Sequence, residues 1–241
     1  MSAIIELKNI SRVFSNGRGL HKMSLRVNEG EIIGLLGVNG SGKTTLMKIA
    51  CGLTLPDTGK SIIEGFDVYA SPEKALRHVG ALIETPAVNP HLSAKDHLRI
   101  SARYQMVKNE VYINRALEWA GLDGKVAKEK VKGYSLGMKQ RLALAIAFLG
   151  EKKVFFLDEP TNGLDIETAA RVKDTLREVC KTTGAAAIVS SHLAGEIERL
   201  CTRIVILKDG NVIMDAGMDE VTKDGRTLEE FYLSCIKEAD A

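Results

Sequence analysis

Gly37-Val38-Asn39-Gly40-Ser41-Gly42-Lys43-Thr44 fits the pattern G-x-x-x-x-G-K-[ST], a loop that wraps phosphate when a strand precedes it and a helix follows. Its glycines let backbone N–H groups curl around phosphate oxygens, and the helix it opens adds the positive end of its dipole. Lys43 is spaced to reach the β- and γ-phosphates of a nucleotide, and the Thr44 hydroxyl to ligate Mg2+. Asp158 and Glu159 end the apolar run Val154-Phe155-Phe156-Leu157, at the edge where active carboxylates of open α/β sheets stand. Asp158 suits a partner of Mg2+, directly or through a bound water, and Glu159 is placed to polarise an attacking water. His192 follows the run Ala185 to Ser190 and points to the same edge, where it can bond a γ-phosphate oxygen or hold the Glu159-bound water in line. Standing alone it would read as a capping or merely polar histidine. His21, His78, His91 and His97 have no such context and are expected on the surface.

These groups need elements to carry them. Ile4-Ile5-Glu6-Leu7 and Met23-Ser24-Leu25-Arg26-Val27 read as antiparallel strands, and Glu31 to Leu36 as a strand buried on both faces that feeds the phosphate loop. Thr44 to Ala50 reads as a helix closed by Gly52. Between about Pro90 and Gly124 strand-like runs give way to helical patterns, His91 to Met106 and Glu110 to Ala120, which suggests a small helical subdomain inserted in the core. Ser135-Leu136-Gly137-Met138-Lys139-Gln140-Arg141 then opens an apolar helix reaching Leu149. A helix from Ile166 to Thr182, a strand from Ala185 to Ser190 and a hairpin turning at Lys208-Asp209-Gly210 complete the pattern. Alternating strands and helices predict an α/β fold: a phosphate-loop core with a mostly parallel sheet, an N-terminal antiparallel β subdomain and the inserted helices. The expected division is one domain over 1–235, with its helical subdomain at about 90–150, and a tail at 236–241.

Composition bounds the partners. With 241 residues, 45% hydrophobic and 27% charged, the chain can bury a sizeable core and is not of the disordered class. A formal net charge of +2 without a block of Lys or Arg argues against nucleic acid. Cys51, Cys180, Cys201 and Cys235 are scattered, with no C-x-x-C, and read as buried or free thiols in a reducing compartment. Met1 leads directly into the first strand, so no cleavable signal is expected. The longest apolar run, Leu142 to Leu149, falls well short of the ~20 residues of a membrane span.

In this order the motifs resemble those of the ATP-binding subunits of ABC transporters, over nearly the whole chain. Gly37 to Thr44, with Thr45 after it, matches the Walker A loop. Tyr134-Ser135-Leu136-Gly137-Met138 matches the signature usually written L-S-G-G-Q, and Phe156-Leu157-Asp158-Glu159 matches Walker B with its catalytic glutamate. Gly163-Leu164-Asp165 resembles the D-loop, and His192 the switch histidine. The resemblance implies ATP and Mg2+ as ligands, and Phe14 in the place of the aromatic that stacks on adenine. It further implies that Ser135 and Gly137 close on the γ-phosphate held by a second copy, giving a homodimer that sandwiches two ATP molecules and drives a separate membrane permease. The location implied is cytoplasmic, peripheral on the inner face of the membrane.

Two departures stand out. Leu136 and Met138 occupy positions where Gly and Gln are common, and Glu84 stands where the family has a Gln that contacts Mg2+ or water and senses the membrane subunit. With the stretch Asn89 to Asp96, these letters resemble the bacitracin- and lantibiotic-resistance branch. Two other classes compete. A soluble ABC protein acting on ribosomes or DNA usually carries paired ATPase domains or a long coiled-coil insert, and neither is seen here. A non-enzymatic binding module sits poorly with intact Lys43, Asp158, Glu159 and His192. Export of other substrates, drugs included, is open.

Overall fold

The computed structural model describes residues 2–85 and 87–239. Pro86, two residues past Glu84, and the last two residues of the expected tail lie outside the described residues. Strand β1 (Ala3–Val13) pairs antiparallel with β2 (Gly19–Asn28). Strand β3 (Ile32–Leu36) leads into helix α1 (Lys43–Ala50). Then come β4 (Thr58–Ile63), β5 (Phe66–Asp67), the short α2 (Pro72–Ala75) and β6 (Val79–Leu82). Helices α3 (Ala94–Tyr104), α4 (Glu110–Ala120) and α5 (Leu136–Ala147) follow. The chain continues through β7 (Val154–Asp158), α6 (Ile166–Thr183), β8 (Ala186–Ser190), α7 (Ala194–Leu200), β9 (Arg203–Lys208) and β10 (Asn211–Gly217). It closes with α8 (Met218–Val221) and α9 (Leu228–Glu238).

Two sheets result, with orders β2-β1-β4-β5 and β10-β9-β3-β8-β7-β6. The first is antiparallel, and alternation in β2, where Leu20, Met23, Leu25 and Val27 are buried, sets its inner face. In the second, β9, β3, β8, β7 and β6 run parallel and only β10 is reversed. Every residue of β3, β7 and β8 is buried, as a parallel sheet covered on both faces requires. One core lies between the sheets, where α1 contributes Leu46, Met47 and Ile49 against Ile5, Leu7, Phe156 and Ile188. The other lies beneath α6, α7 and α9, around Phe155, Leu157, Leu176, Ile197 and Phe231. The α/β class, the parallel core, the antiparallel subdomain and the inserted helices are all borne out.

The inserted helices own a third core, drawn from Leu98, Ala102, Ile113, Leu117, Leu142 and Leu149. Ser93 and Asp96 form a capping box at the start of α3. Asn109 caps α4, which ends at Gly121 in the left-handed region (φ 60°). The subdomain is tied to the main sheet by aromatic contacts of Phe148 with Trp119 (5.2 Å) and Phe155 (4.8 Å). Trp119 Nε1 also donates to Thr175 Oγ1 of α6 at 2.8 Å.

Three expectations need correction. His97 is buried: its Nε2 accepts the Asn89 N–H at 2.9 Å and its Nδ1 donates to the Ser93 carbonyl at 2.8 Å. Both ring nitrogens are satisfied inside the subdomain, so burial carries little cost. His78 is only part-exposed and pairs with Glu64 at 2.9 Å. The stretch from 236 begins as helix, because α9 runs through Glu238 and Ile236 packs on the second core. The four cysteines are free and buried.

Candidate nucleotide site

The parallel register brings the chemistry to one edge. Ser190, last in β8, lies beside Leu35 of β3 and beside Asp158, last in β7. The phosphate loop leaves β3 at that edge. Gly37 has φ 150°, and a Cβ there would lie 2.3 Å from the Leu207 carbonyl oxygen, so only glycine fits. The β9–β10 turn supports the loop from below, with the Gly210 N–H donating to the Ser41 carbonyl at 3.1 Å. Gly42 caps α1 in the left-handed region and offers no side chain to do so, and the first turn holds no acidic residue. The N–H groups of that turn are therefore left for an external acceptor.

Lys43 Nζ donates to the loop's own carbonyls, Gly37 at 2.6 Å and Val38 at 3.1 Å. Burial lowers the pKa of this ammonium, and the Glu159 and Asp158 carboxylates oppose the shift. Thr44 Oγ1 donates to Asp158 Oδ2 at 2.8 Å, which joins the start of α1 to the end of β7. Ser190 Oγ donates to Asp158 Oδ1 at 2.5 Å and accepts the Glu159 N–H at 3.0 Å. Glu159 adopts φ 49°, a strained conformation for a non-glycine residue. That bend aims its side chain at His192, whose Nδ1 lies 2.7 Å from Glu159 Oε2. The hydroxyl of Ser41 is buried and has no hydrogen-bond partner among the described residues.

The remaining expected residues divide. Phe14, exposed under the Arg12 guanidinium at 5.3 Å, follows Val13, which pairs with Gly19. The Gly19 carbonyl in turn lies against Gly42, so Phe14 belongs to the neighbourhood of the loop. Val38, Asn39 and Gly40 form its outer rim and are exposed, whereas Thr45 is part-buried inside α1. Glu84, with φ 63° just past β6, pairs through Oε1 with Lys48 Nζ of α1 at 2.5 Å. Ser135 caps α5 by accepting the Met138 N–H at 3.2 Å, which leaves its own proton free to donate. Gly137 packs against the Gly163 carbonyl, where a Cβ would come within 3.0 Å. Asp165 caps α6, accepting from Thr168 N and Oγ1, each at 2.8 Å, and the Thr168 backbone bond holds its pKa low. Among the described residues no hydrogen bond joins Ser135 or Gly137 to the phosphate loop.

The profile of the family described as "ABC transporter" matches residues 20–162. The chain belongs to that family. Among curated relatives, an uncharacterised ABC transporter ATP-binding protein of Bacillus subtilis, YhcH, is 39% identical over 88% of this chain and 70% of its own length. The bacitracin transport ATP-binding protein BcrA of Bacillus licheniformis is 32% identical over 97% of this chain and 76% of its own. The lantibiotic transport ATP-binding protein SrtF of Streptococcus pyogenes is 33% identical over 95% and 96%. A solved ATP-binding subunit of an ABC transporter superposes with a TM-score of 0.87 at 28% identity, covering 97% of this chain and 99% of its own. The dimeric bacterial ABC transporter cassette MJ0796 gives 0.80 at 26% identity, over 89% and 98%.

As an ABC ATPase, the chain has a site with parts that sequence reasoning missed. Ser190 bridges both Walker B carboxylate residues, and Gln140 Nε2 ties the signature helix to the Pro160 carbonyl at 3.1 Å. Lys48 was missed as the partner of Glu84, although its place one helical turn past Thr44 puts it on the same face of α1. No helix among the described residues is long and apolar enough to cross a membrane.

Proposed function

We propose that this ABC ATPase binds ATP with Mg2+ at the phosphate loop, hydrolyses it within a dimer of two such chains, and thereby drives a separate membrane permease exporting peptide antibiotics. The observation carrying the site is the meeting of Lys43, Thr44, Asp158, Glu159 and His192 at one sheet edge. The uncapped start of α1 and the Lys43 ammonium suit a triphosphate. Thr44 and Asp158 are two hard oxygen ligands, which suits Mg2+, an ion that completes its shell with waters and phosphate oxygens. When bound, the ion neutralises charge on the phosphates. Lys43 exchanges its loop carbonyls for phosphate oxygens, Glu159 takes up the water, and His192 fixes the carboxylate's direction.

The dimer is supported by the lack, among the described residues, of any hydrogen bond from Ser135 or Gly137 to the phosphate loop, and by the dimeric state of the solved cassette. The peptide-antibiotic cargo is supported by similarity to bacitracin and lantibiotic transport proteins and by the departures at Glu84, Leu136 and Met138. Here the negative charge that Glu84 adds is offset by Lys48, so the carboxylate can stand near phosphate without raising the local charge. Such a subunit works on the cytoplasmic face of the membrane, held there by its permease.

Purified protein should show Mg2+-dependent ATPase activity that Lys43→Ala abolishes. Glu159→Gln should still bind ATP, lose turnover and accumulate as an ATP-bound dimer; near-normal turnover would remove Glu159 from the role of base. Glu84→Gln should keep ATP affinity within about twofold while changing transport per ATP. A Lys43→Ala strain that tolerates bacitracin and lantibiotics like its parent would count against the cargo.

A further inference from the structure

Glu159 and His192 come from separate loops, and one carboxylate outside the nucleotide site touches both loops. Glu196, in the first turn of α7, accepts the Thr161 hydroxyl at 2.8 Å and the Ser191 hydroxyl at 3.1 Å, both through Oε2. Its Oε1 faces Lys173 Nζ of α6 at 3.5 Å. Thr161 stands two residues after Glu159, and Ser191 stands immediately before His192. Ser191 Oγ also accepts the Leu193 N–H at 3.1 Å, which braces the backbone on the far side of the histidine. Pro160, Val189, Ile197 and Leu200 surround this junction, and apolar neighbours of that kind strengthen charge-assisted hydrogen bonds by limiting competition from water.

We propose that Glu196 is a positioning residue for ATP hydrolysis, clamping the loop after Glu159 to the loop before His192 so that their side chains meet. The clamp acts on geometry, through its bonds to Thr161 and Ser191. Two donors from different loops converge on one oxygen, so a shift in either loop is resisted by the other. A displacement of about 1 Å at a reacting group can cost on the order of a hundredfold in rate. Loss of the clamp therefore falls on turnover and spares nucleotide binding.

The inference rests on Glu159 and His192 serving the attacking water. Steady-state ATPase kinetics and equilibrium binding of a fluorescent ATP analogue on Glu196→Ala, Glu196→Gln and Thr161→Val test it. Glu196→Ala should lower kcat about tenfold or more, and Thr161→Val about threefold, with KM and analogue affinity within about twofold of the parent. Glu196→Gln keeps an oxygen for both hydroxyls and should recover most of kcat. Parental kcat in Glu196→Ala, an equal loss in binding and turnover, or a Gln variant as slow as the Ala variant would each overturn the clamp. If Glu196→Ala fails to fold, Thr161→Val decides, and parental kcat there overturns it. Glu159→Gln in the same assay separates the two readings. Turnover surviving in Glu159→Gln removes the underlying assignment. Turnover lost there but intact in Glu196→Ala removes only the clamp.

Discussion

Asp158 and Glu159 are adjacent yet face different tasks, and Ser190 separates them. Its hydroxyl, fully buried, donates to the Asp158 carboxylate and accepts the Glu159 N–H. It thereby fixes one side chain toward Thr44 while the strained Glu159 backbone turns the other toward His192. Ser190→Ala should leave both groups short of a partner, at about 1–3 kcal/mol for a buried unsatisfied polar group. For a chain of this size each kcal/mol lowers the melting midpoint by roughly 2–4 °C. A thermal melt unchanged from the parent would show that water replaces the hydroxyl. The carboxylates, the lysine and the histidine were legible in the sequence because the phosphate loop gave them a context. Ser190 was not, since a polar residue closing an apolar run looks the same whether it ends a strand or braces a site. Glu84 was legible as an oddity, but Lys48 acquires meaning only when α1 stands beside the end of β6.

At the level of elements, long periodic segments showed themselves and short paired ones did not. α3 to α6 carry caps and apolar stripes that the chain displays openly. β4 carries Gly59 and Lys60 and β5 is two residues long; β4 exists because β1 supplies an edge to pair with, and β5 because β4 does. Their two-residue turn, Glu64-Gly65, has positive φ at both positions, the hairpin geometry that twisted strands favour. The connection from α5 to β7 hides a further feature. Glu151-Lys152-Lys153 is a run of three charged residues, yet Lys152 is buried with its ammonium on Gln105 Oε1 at 2.8 Å. Burial lowers its pKa to about 8, below the ~10.4 of an unfolded lysine. Between those values the unfolded chain binds more protons than the folded one, so this residue makes stability rise with pH across that window. Below pH 8 both states are protonated and the full cost of burying the charge is present. The slope is at most ~1.4 kcal/mol per pH unit. Urea midpoints at pH 7.5 and 9.5 should diverge more in the parent than in Lys152→Met, and equal differences would mean the ammonium reaches water.

On the scale of the whole molecule, the proposed dimer would complete a site that one chain holds in part. The phosphate loop, Asp158, Glu159 and His192 converge within one chain, while Gly137 packs on the Gly163 carbonyl and, among the described residues, neither it nor Ser135 bonds that loop. Leu136, between Ser135 and Gly137, is 67% exposed, and Ile166, the first residue of α6, is 91% exposed. Apolar side chains this exposed suit contact with a second copy. Position 166 separates assembly from folding, because it starts a helix already capped by Asp165. An acidic residue in a first helical turn is favoured by the dipole, so Ile166→Asp should fold at least as well as the parent. Buried in a dimer, however, an unpaired carboxylate is costly, and ATP-driven association of Ile166→Asp in the Glu159→Gln background should weaken about tenfold or more. Analytical ultracentrifugation with ATP and Mg2+ reads this directly, alongside the binding of ATP by the monomer. Undiminished association would place Ile166 outside the contact and leave its exposure to be covered by the permease instead.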